Sequence, residues 1–510
     1  MATCINNHGS ACQIFRDTLP SLPTRVIDVG PRDGSKDPHL FISKGKQGNY
    51  ITLSYCWGNK ANLCTESRTL ESFTKLIPLL RIPKTIQEAI ITTRRLGIQY
   101  LWVDTLCILQ DSVEDWLREA KNIASVYRNS ILTIAAADSV DSEGGLFRKR
   151  IRLRTRPVQI APRIAPFSKM GSLEFIFAFG DRQESNDGIR CESRLDKRGW
   201  VLQEQLLSPR TLNFSSQELY WECPALLASE SYPAGIPRDH DHNFERRYFT
   251  ELKMKISGSN LPSDRDRVHM LWQHILVLYS KRELSRETDK LVALAGAANQ
   301  VSKTLEDKLL AGIWIKWLWR DLLWWVDVKT STVVPLGARP KEFKAPSWSW
   351  ASIKGPISYR FPQGTSHLRY YPCIQVLGHG EKVHTKSNRV SGFITIRGVI
   401  LPATIPGTPS HWASDHLKPG PGRTTTQLRT TWSKSENTSQ APIWKPDTED
   451  IICEDIQCLI VAASHQYIVS IGLMPTGRRP DEYSRVGLAY WSPYYYSIPD
   501  EVQFQIITIV

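Results

Sequence analysis

Residues 96–137, LGIQYLWVDTLCILQDSVEDWLREAKNIASVYRNSILTIAAA, constrain this chain more than any other stretch. The aromatic and β-branched run at 100–103 predicts a buried strand that stops at Asp104. Asp111 or Ser112 then suits a helix N-cap. Glu114 and Asp115 follow in the first turn, where the helix dipole favours carboxylates. Trp116, Ala120, Ile123, Ala124 and Tyr127 recur at three- and four-residue spacing, which gives one apolar face to a helix running to about Arg128. Residues 131–137 predict a second buried strand. Strand, helix, strand without a hairpin turn predicts parallel strands joined by a right-handed crossover. In such sheets ligands gather beyond the carboxyl ends of the strands, which points to Asp104, Cys107, Gln110 and Asp111. The plainer account is that Asp104 and Asp111 cap a loop and the helix start.

Two further blocks fit this edge. In YITLSYCWG (50–58), Ile51, Leu53 and Tyr55 alternate as a strand that ends in Cys56-Trp57-Gly58. Gly58 suits a sharp turn or a close approach of backbone. Residues 82–97 predict a helix with Pro83 in its first turn, a buried stripe through Ile86, Ala89, Ile90, Thr93 and Leu96, and Gly97 as terminator. The loops 54–58 and 104–110 therefore follow strands one helix apart, and they share an edge if the strands are parallel neighbours. The third block, RLDKRGWVLQE (194–204), gathers Arg198, Gly199, Trp200, Gln203 and Glu204. It fits a ring-and-hydroxyl binding surface, or equally a packed Trp beside a capping Gln-Glu pair.

The rest of the chain sorts by composition. Residues 1–24 predict a loose leader, 25–230 a first domain with an edge or hairpin at 25–29 and 40–43, and 231–262 a Pro- and charge-rich linker. Residues 263–330 read as helical; a helix-like run at 313–328 packs five Trp as a second core rather than a membrane-surface face. Residues 331–510 read as β-rich, with an insertion at about 402–447 whose Pro, Ser, Thr and Gly content predicts disorder.

Composition then excludes several function classes. No uncharged apolar run reaches about 18 residues, so no transmembrane helix is expected. Ten Cys at irregular spacing, with no C-x-x-C pair and no secretory leader, predict reduced thiols in an intracellular protein. No metal site is expected, since His240-Asp241-His242 lacks a spaced partner. The net charge of +13 includes the basic stretch 148–156. No aromatic residue interleaves with it, and Arg152, Arg154 and Arg156 also suit the wet face of a strand, so nucleic acid is not expected as a partner. There is no G-x-G-x-x-G and no P-loop. Cys107 reads as a buried structural thiol, because no His lies between His39 and His240 to activate it.

Taken together, YITLSYCWG (50–58), YLWVDTLCILQD (100–111) and RGWVLQE (198–204) resemble the fungal heterokaryon-incompatibility (HET) domain in order and spacing. YSKRELSRETDKLVALAGAA (279–298), LLAGIWIKWLWRDLLWW (309–325), APSWSWAS (345–352) and RVGLAYW (485–491) resemble the carboxyl-terminal region of the family's longer members. The pattern departs at Val201 and Leu202, where Thr is frequent, and at Leu109, where a small or polar residue is common. The resemblance implies a cytoplasmic fungal protein of nonself recognition and programmed cell death, acting through protein partners or self-association, with a parallel α/β sheet similar to the Toll/interleukin-receptor (TIR) fold.

Because some TIR relatives cleave NAD with a helix-borne glutamate, the resemblance also makes NAD a candidate substrate, with Glu119 or Glu204 as the carboxylate. No cofactor is otherwise implied. Ser54, Tyr55, Trp57, Gly58, Asp104, Cys107, Gln110, Asp111, Trp200 and Gln203 then form the candidate ligand-binding set. A carboxylate beneath the cationic sugar would stabilise its charge, and Trp57 or Trp200 would stack on the base. The contrasting expectation is a recognition module without catalytic groups, in which Trp57, Trp102 and Trp200 are core and Asp104 and Glu204 are satisfied hydrogen-bond partners. A solvent-reachable Glu119 or Glu204 beside Trp57 separates the first expectation from a carboxylate sealed against Arg.

Overall fold

Short runs of β-branched and aromatic residues set the strands of the first half of the chain. The computed structural model describes residues 1–9, 12, 19–58, 63–150, 193–236, 244–256, 264–327, 339, 345–359, 370–384, 389–405, 426–427, 442–448, 455–494 and 502–510. It divides into two units, Met1–Ser263 and Asp264–Val510.

In the first unit eight strands form one sheet: Arg25–Asp28 (β1), His39–Ile42 (β2), Tyr50–Ser54 (β3), Tyr100–Trp102 (β4), Leu132–Ala135 (β5), Thr211–Phe214 (β6), Leu219–Glu222 (β7) and Leu227–Ser229 (β8). Their order is β2-β1-β4-β3-β5-β6-β7-β8. The inner four, β4-β3-β5-β6, are parallel. Antiparallel β1 and β2 extend one side, and antiparallel β7 and β8 the other. The helices are Ala2–Asn7 (α1), Leu70–Lys75 (α2), Lys84–Arg95 (α3), Asp104–Cys107 (α4), Val113–Asn129 (α5), Gly199–Leu207 (α6) and Phe244–Ile256 (α7). Ser112 is the cap of α5, accepting from the Asp115 amide at 3.2 Å. Inner strands are buried on both faces, which is why they read as near-continuous apolar runs. Trp102 meets Tyr127 of α5 edge-on at 5.8 Å between ring centroids, locking that helix to the sheet.

The expected α/β class holds, with four differences. The sheet is mixed rather than wholly parallel. The strands flanking α5 are parallel but not neighbours, because β3 lies between them. The leader contains α1, and both Cys4 and Cys12 are buried. Within the expected linker, α7 buries Phe249, Leu252 and Ile256, and Lys253 reaches the Gln205 carbonyl at 3.1 Å. The many Lys and Glu around those three apolar residues hid a single buried stripe from a compositional view.

In the second unit, Arg265–Ser280 (α8), Val292–Leu305 (α9) and Leu318–Asp321 (α10) precede a nine-stranded sheet. Its long strand Arg389–Thr404 pairs with Gln375–His384, Asp455–Ala463 and Phe504–Ile509. The Trp-rich run is not one helix. It folds as strand Ile313–Trp314, helix α10 and strand Trp325–Val326. Trp314 and Trp324 are fully buried, so the run does form a core. Buried Asp321 accepts from the Trp314 amide at 2.9 Å and Gln273 at 2.9 Å, and pairs with His269 at 2.8 Å, which ties α10 to α8. Of the expected disordered insertion, Thr426–Gln427 and Ile443–Pro446 are strands, and residues 406–425 and 428–441 lie outside the described residues. No described helix is long and apolar enough to cross a membrane.

Candidate functional site

Ser54 and Ala135 are the last residues of β3 and β5, and they pair across the sheet. From β3 the chain moves to β4 on one side; from β5 it moves to β6 on the other. The two connections therefore diverge from adjacent carboxyl ends, which opens a crevice at the point where the strand order reverses. Four segments deliver polar groups there. Residues 54–57 continue β3, Asp104 opens the short helix directly after β4, Tyr127 comes from α5, and Arg198 and Glu204 come from the cap and body of α6.

The Ser54 hydroxyl donates to Glu204. The Trp57 indole N–H donates to Asp104 at 2.8 Å, and the Thr105 amide donates to the other oxygen of that carboxylate at 2.8 Å. The Tyr55 and Thr105 hydroxyls share a hydrogen bond of 2.9 Å. The Arg198 guanidinium donates to the Tyr55 carbonyl. Asp104 and Glu204 are half-buried, so solvent still reaches each residue. Desolvation nevertheless pushes both carboxyls above the usual range, against the opposing pull of Arg198 and of their hydrogen bonds. The charge of Asp104 pushes Glu204 further up. Two carboxyls held at different hydrogen-bond donors, one biasing the other, are suited to holding and passing a proton.

The structure does not bring the whole candidate set together. Glu119 is buried on α5 and faces Arg25 at 3.9 Å and Arg118 at 3.4 Å; Asp115 takes part in the same ion cluster. Asp111 is exposed and accepts twice from the Ser67 amide at 3.0 Å, bracing two loops. Gln110 donates to the Asp104 and Ile108 carbonyls at 3.1 Å, so it shapes the loop beneath Asp104. Cys107 is buried, its thiol pushed up to about 12 by desolvation, which removes any thiolate at neutral pH. On α6, Gln203 is buried and Trp200 half-buried. His240-Asp241-His242 and residues 151–156 of the basic stretch lie outside the described residues.

Sequence reasoning missed Arg198 and Tyr127 as site residues. Tyr127 sat in the apolar stripe of α5 and looked like pure core, yet its hydroxyl reaches the Leu53 carbonyl at 3.3 Å and hydrogen bonding with Glu204 links it to the cluster. Arg198 was visible as a charge next to Trp200, but nothing local shows that it serves a carbonyl 143 residues earlier.

Gly58 has φ +75°, and an added Cβ would stand 2.3 Å from the Asp141 Cβ. The loop after β5 thus rests directly on the loop after β3, with the Ser142 amide donating to the Trp57 carbonyl at 3.4 Å. Gly58→Ala is expected to cost about 1–3 kcal/mol from the left-handed backbone alone, with the clash in addition. Thermal unfolding against the parent measures it; an unchanged transition would mean that the 138–146 loop yields freely.

Residues 50–204 match the family model described as Heterokaryon incompatibility protein (HET). No curated protein matches the chain. No solved structure matches it either.

Proposed function

We propose that this chain, whose residues 50–204 match the HET family model, uses the cluster at the carboxyl edge of its first sheet as the working site of a nonself-recognition response. A HET domain implies a role in heterokaryon incompatibility and nonself recognition. The proposal concerns how that role is carried out: in the cytoplasm, through protein partners or self-association, and ending in programmed cell death. One observation carries it. Asp104, Glu204, Ser54 and Trp57 come from three separated family blocks and meet at the strand-order reversal, with both acidic residues half-buried and both carboxyls raised. Residues serving packing alone would not need two carboxyls retained in a desolvated crevice, where each costs stability.

A second reading has its own observation. Glu204 keeps solvent access, whereas Glu119 is closed off against Arg25 and Arg118. Of the two glutamates, only Glu204 meets the need of an NAD-type glycoside cleavage, in which a carboxylate faces a cationic sugar and orients water. The test is NAD loss with the purified full chain, parent beside Glu204→Gln and Glu119→Ala. Glu204→Gln keeps an acceptor for Ser54 and removes the charge. Loss of NAD that Glu204→Gln reduces by about a hundredfold or more, with Glu119→Ala active, supports the enzyme. No NAD loss by the parent, even under enforced self-association, leaves the recognition module. In that case Glu204→Gln should still weaken the death response in hyphae, and a full response would end the role of this cluster.

A further inference from the structure

Cys4 and His8 stand four residues apart around α1, Cys12 follows after four more, and Cys223 directly follows β7. Their four ligand atoms lie within 4.8 Å of one another. The three cysteines are buried, and His8 is half-buried at their rim. His8 Nδ1 is 3.6 Å from Cys12 Sγ and 3.4 Å from Cys223 Sγ. A ring nitrogen has one in-plane proton or lone pair, so it serves only one sulfur as a hydrogen-bond partner. Near-equal distances to two are what a nitrogen aimed at a shared centre gives. Zinc bonds of about 2.3 Å to sulfur and about 2.0 Å to nitrogen, at tetrahedral angles, place nitrogen and sulfur about 3.5 Å apart. The observed separations bracket that value.

We propose that Cys4, His8, Cys12 and Cys223 form a structural zinc(II) site that fastens the amino-terminal segment to the first sheet. Three thiolates and one imidazole suit zinc among the common divalent ions, and a complete four-ligand set is the mark of a structural rather than a catalytic site. The surroundings are built for it. Buried Arg210 donates through Nε to Cys4 Sγ at 3.2 Å and through Nη2 to the Cys12 carbonyl at 2.5 Å. Three thiolates with zinc(II) leave one net negative charge, and the Arg210 guanidinium offsets it while orienting a ligand sulfur. Arg210 immediately precedes β6, and Cys223 immediately follows the antiparallel β7. The cluster therefore sits at the amino edge of the parallel strands, opposite Ser54 and Glu204. Its role is to hold the fold, and it is independent of the chemistry at the carboxyl edge. The eight described cysteines are all free thiols, as zinc binding requires. Local spacing alone does not disclose the site, because the fourth ligand, Cys223, lies far along the chain.

The test is metal content of the full chain, purified under reducing conditions without chelator. About one zinc per chain is expected, falling below about a tenth in Cys4→Ser and Cys223→Ser. Because either variant risks misfolding, His8→Ala and His8→Cys complete the series: His8→Ala, at the half-exposed position, lowers zinc retention against a competing chelator, and His8→Cys restores it. Cobalt(II) loaded in place of zinc should show intense tetrahedral visible bands with thiolate charge transfer, absent in Cys223→Ser. A parent chain that carries no zinc and gives no such cobalt spectrum would overturn the site. So would zinc retention unchanged in Cys223→Ser, or a disulfide among these cysteines in the protein as isolated.

Discussion

Asp447→Ala is expected to destabilise the second unit by about 3–5 kcal/mol, the usual cost of leaving a buried charge without its partner. The stranded charge is Arg485, which has no exposed surface. Asp447 meets it with both oxygens, at 3.0 Å to Nε and 3.1 Å to Nη2. The remaining donors go to the Leu322 carbonyl at 2.6 Å and the Trp324 carbonyl at 2.5 Å, and the guanidinium lies 3.5 Å from the Trp324 ring centroid. Four hydrogen bonds and the Trp324 ring enclose this cation, so removing one partner cannot be repaired by rotating toward water. Asp447→Asn should cost less, since it keeps an acceptor. The double variant Asp447→Leu with Arg485→Met should be more stable than Asp447→Ala, because the fully buried charge leaves with its partner and only half-buried Arg339, 3.6 Å from Asp447, loses an ion-pair contact. Urea denaturation followed by Trp fluorescence resolves these values. A parent-like midpoint for Asp447→Ala would show that the carbonyls and the Trp324 ring suffice for the arginine.

That network also explains why the second half of the chain was partly legible. The blocks LLAGIWIKWLWRDLLWW, SWSWAS and RVGLAYW stood out as separate runs. In the fold they are joined: Arg485 of the last reaches carbonyls of the first, its amide donates to Ser347 Oγ at 2.9 Å, and Trp350 donates to the Gly312 carbonyl at 2.8 Å. Trp and Arg are conspicuous because their packing is demanding, but which carbonyl each serves is a tertiary fact. The same limit applies in the first unit. The strand and helix spans around Asp104 followed from periodicity, since a buried parallel strand and an amphipathic helix each impose a local pattern. The insertion of β3 between β4 and β5, and the convergence of Cys223 on Cys4 and His8, depend on contacts between distant segments that no local period encodes. Glu119 and Glu204 illustrate it most directly: both are helix-borne glutamates, and only the arrangement of Arg25, Arg118 and Ser54 around them separates an enclosed ion pair from a group at the crevice.

Arg198→Met is expected to lower stability by about 2 kcal/mol at neutral pH, with a smaller loss below the ordinary carboxylate range. Burial raises the carboxyls of Asp104 and Glu204 in the folded chain, and Arg198 counters that rise in both. A carboxyl whose folded value lies above its unfolded value binds more protons in the native state. It therefore lowers stability as pH climbs from the ordinary carboxylate range through the folded value, and the full cost is present above that value. Without Arg198 both folded values move further up, so the pH window of falling stability widens towards neutrality and its final cost grows. Below the unfolded value both groups are protonated in either state, and what remains is the lost hydrogen bond to the Tyr55 carbonyl. The measurement is urea denaturation of parent and variant across that range, read as their difference so that other carboxylates cancel. Adding Glu204→Gln to Arg198→Met should recover part of the loss at neutral pH and none in acid, because it removes a carboxylate whose ionised form the arginine stabilises. A difference independent of pH would mean that Arg198 acts only through its hydrogen bond to the Tyr55 carbonyl. A difference that grows towards the neutral side would tie the stability of the sheet edge to the protonation of the two groups on which any chemistry there depends.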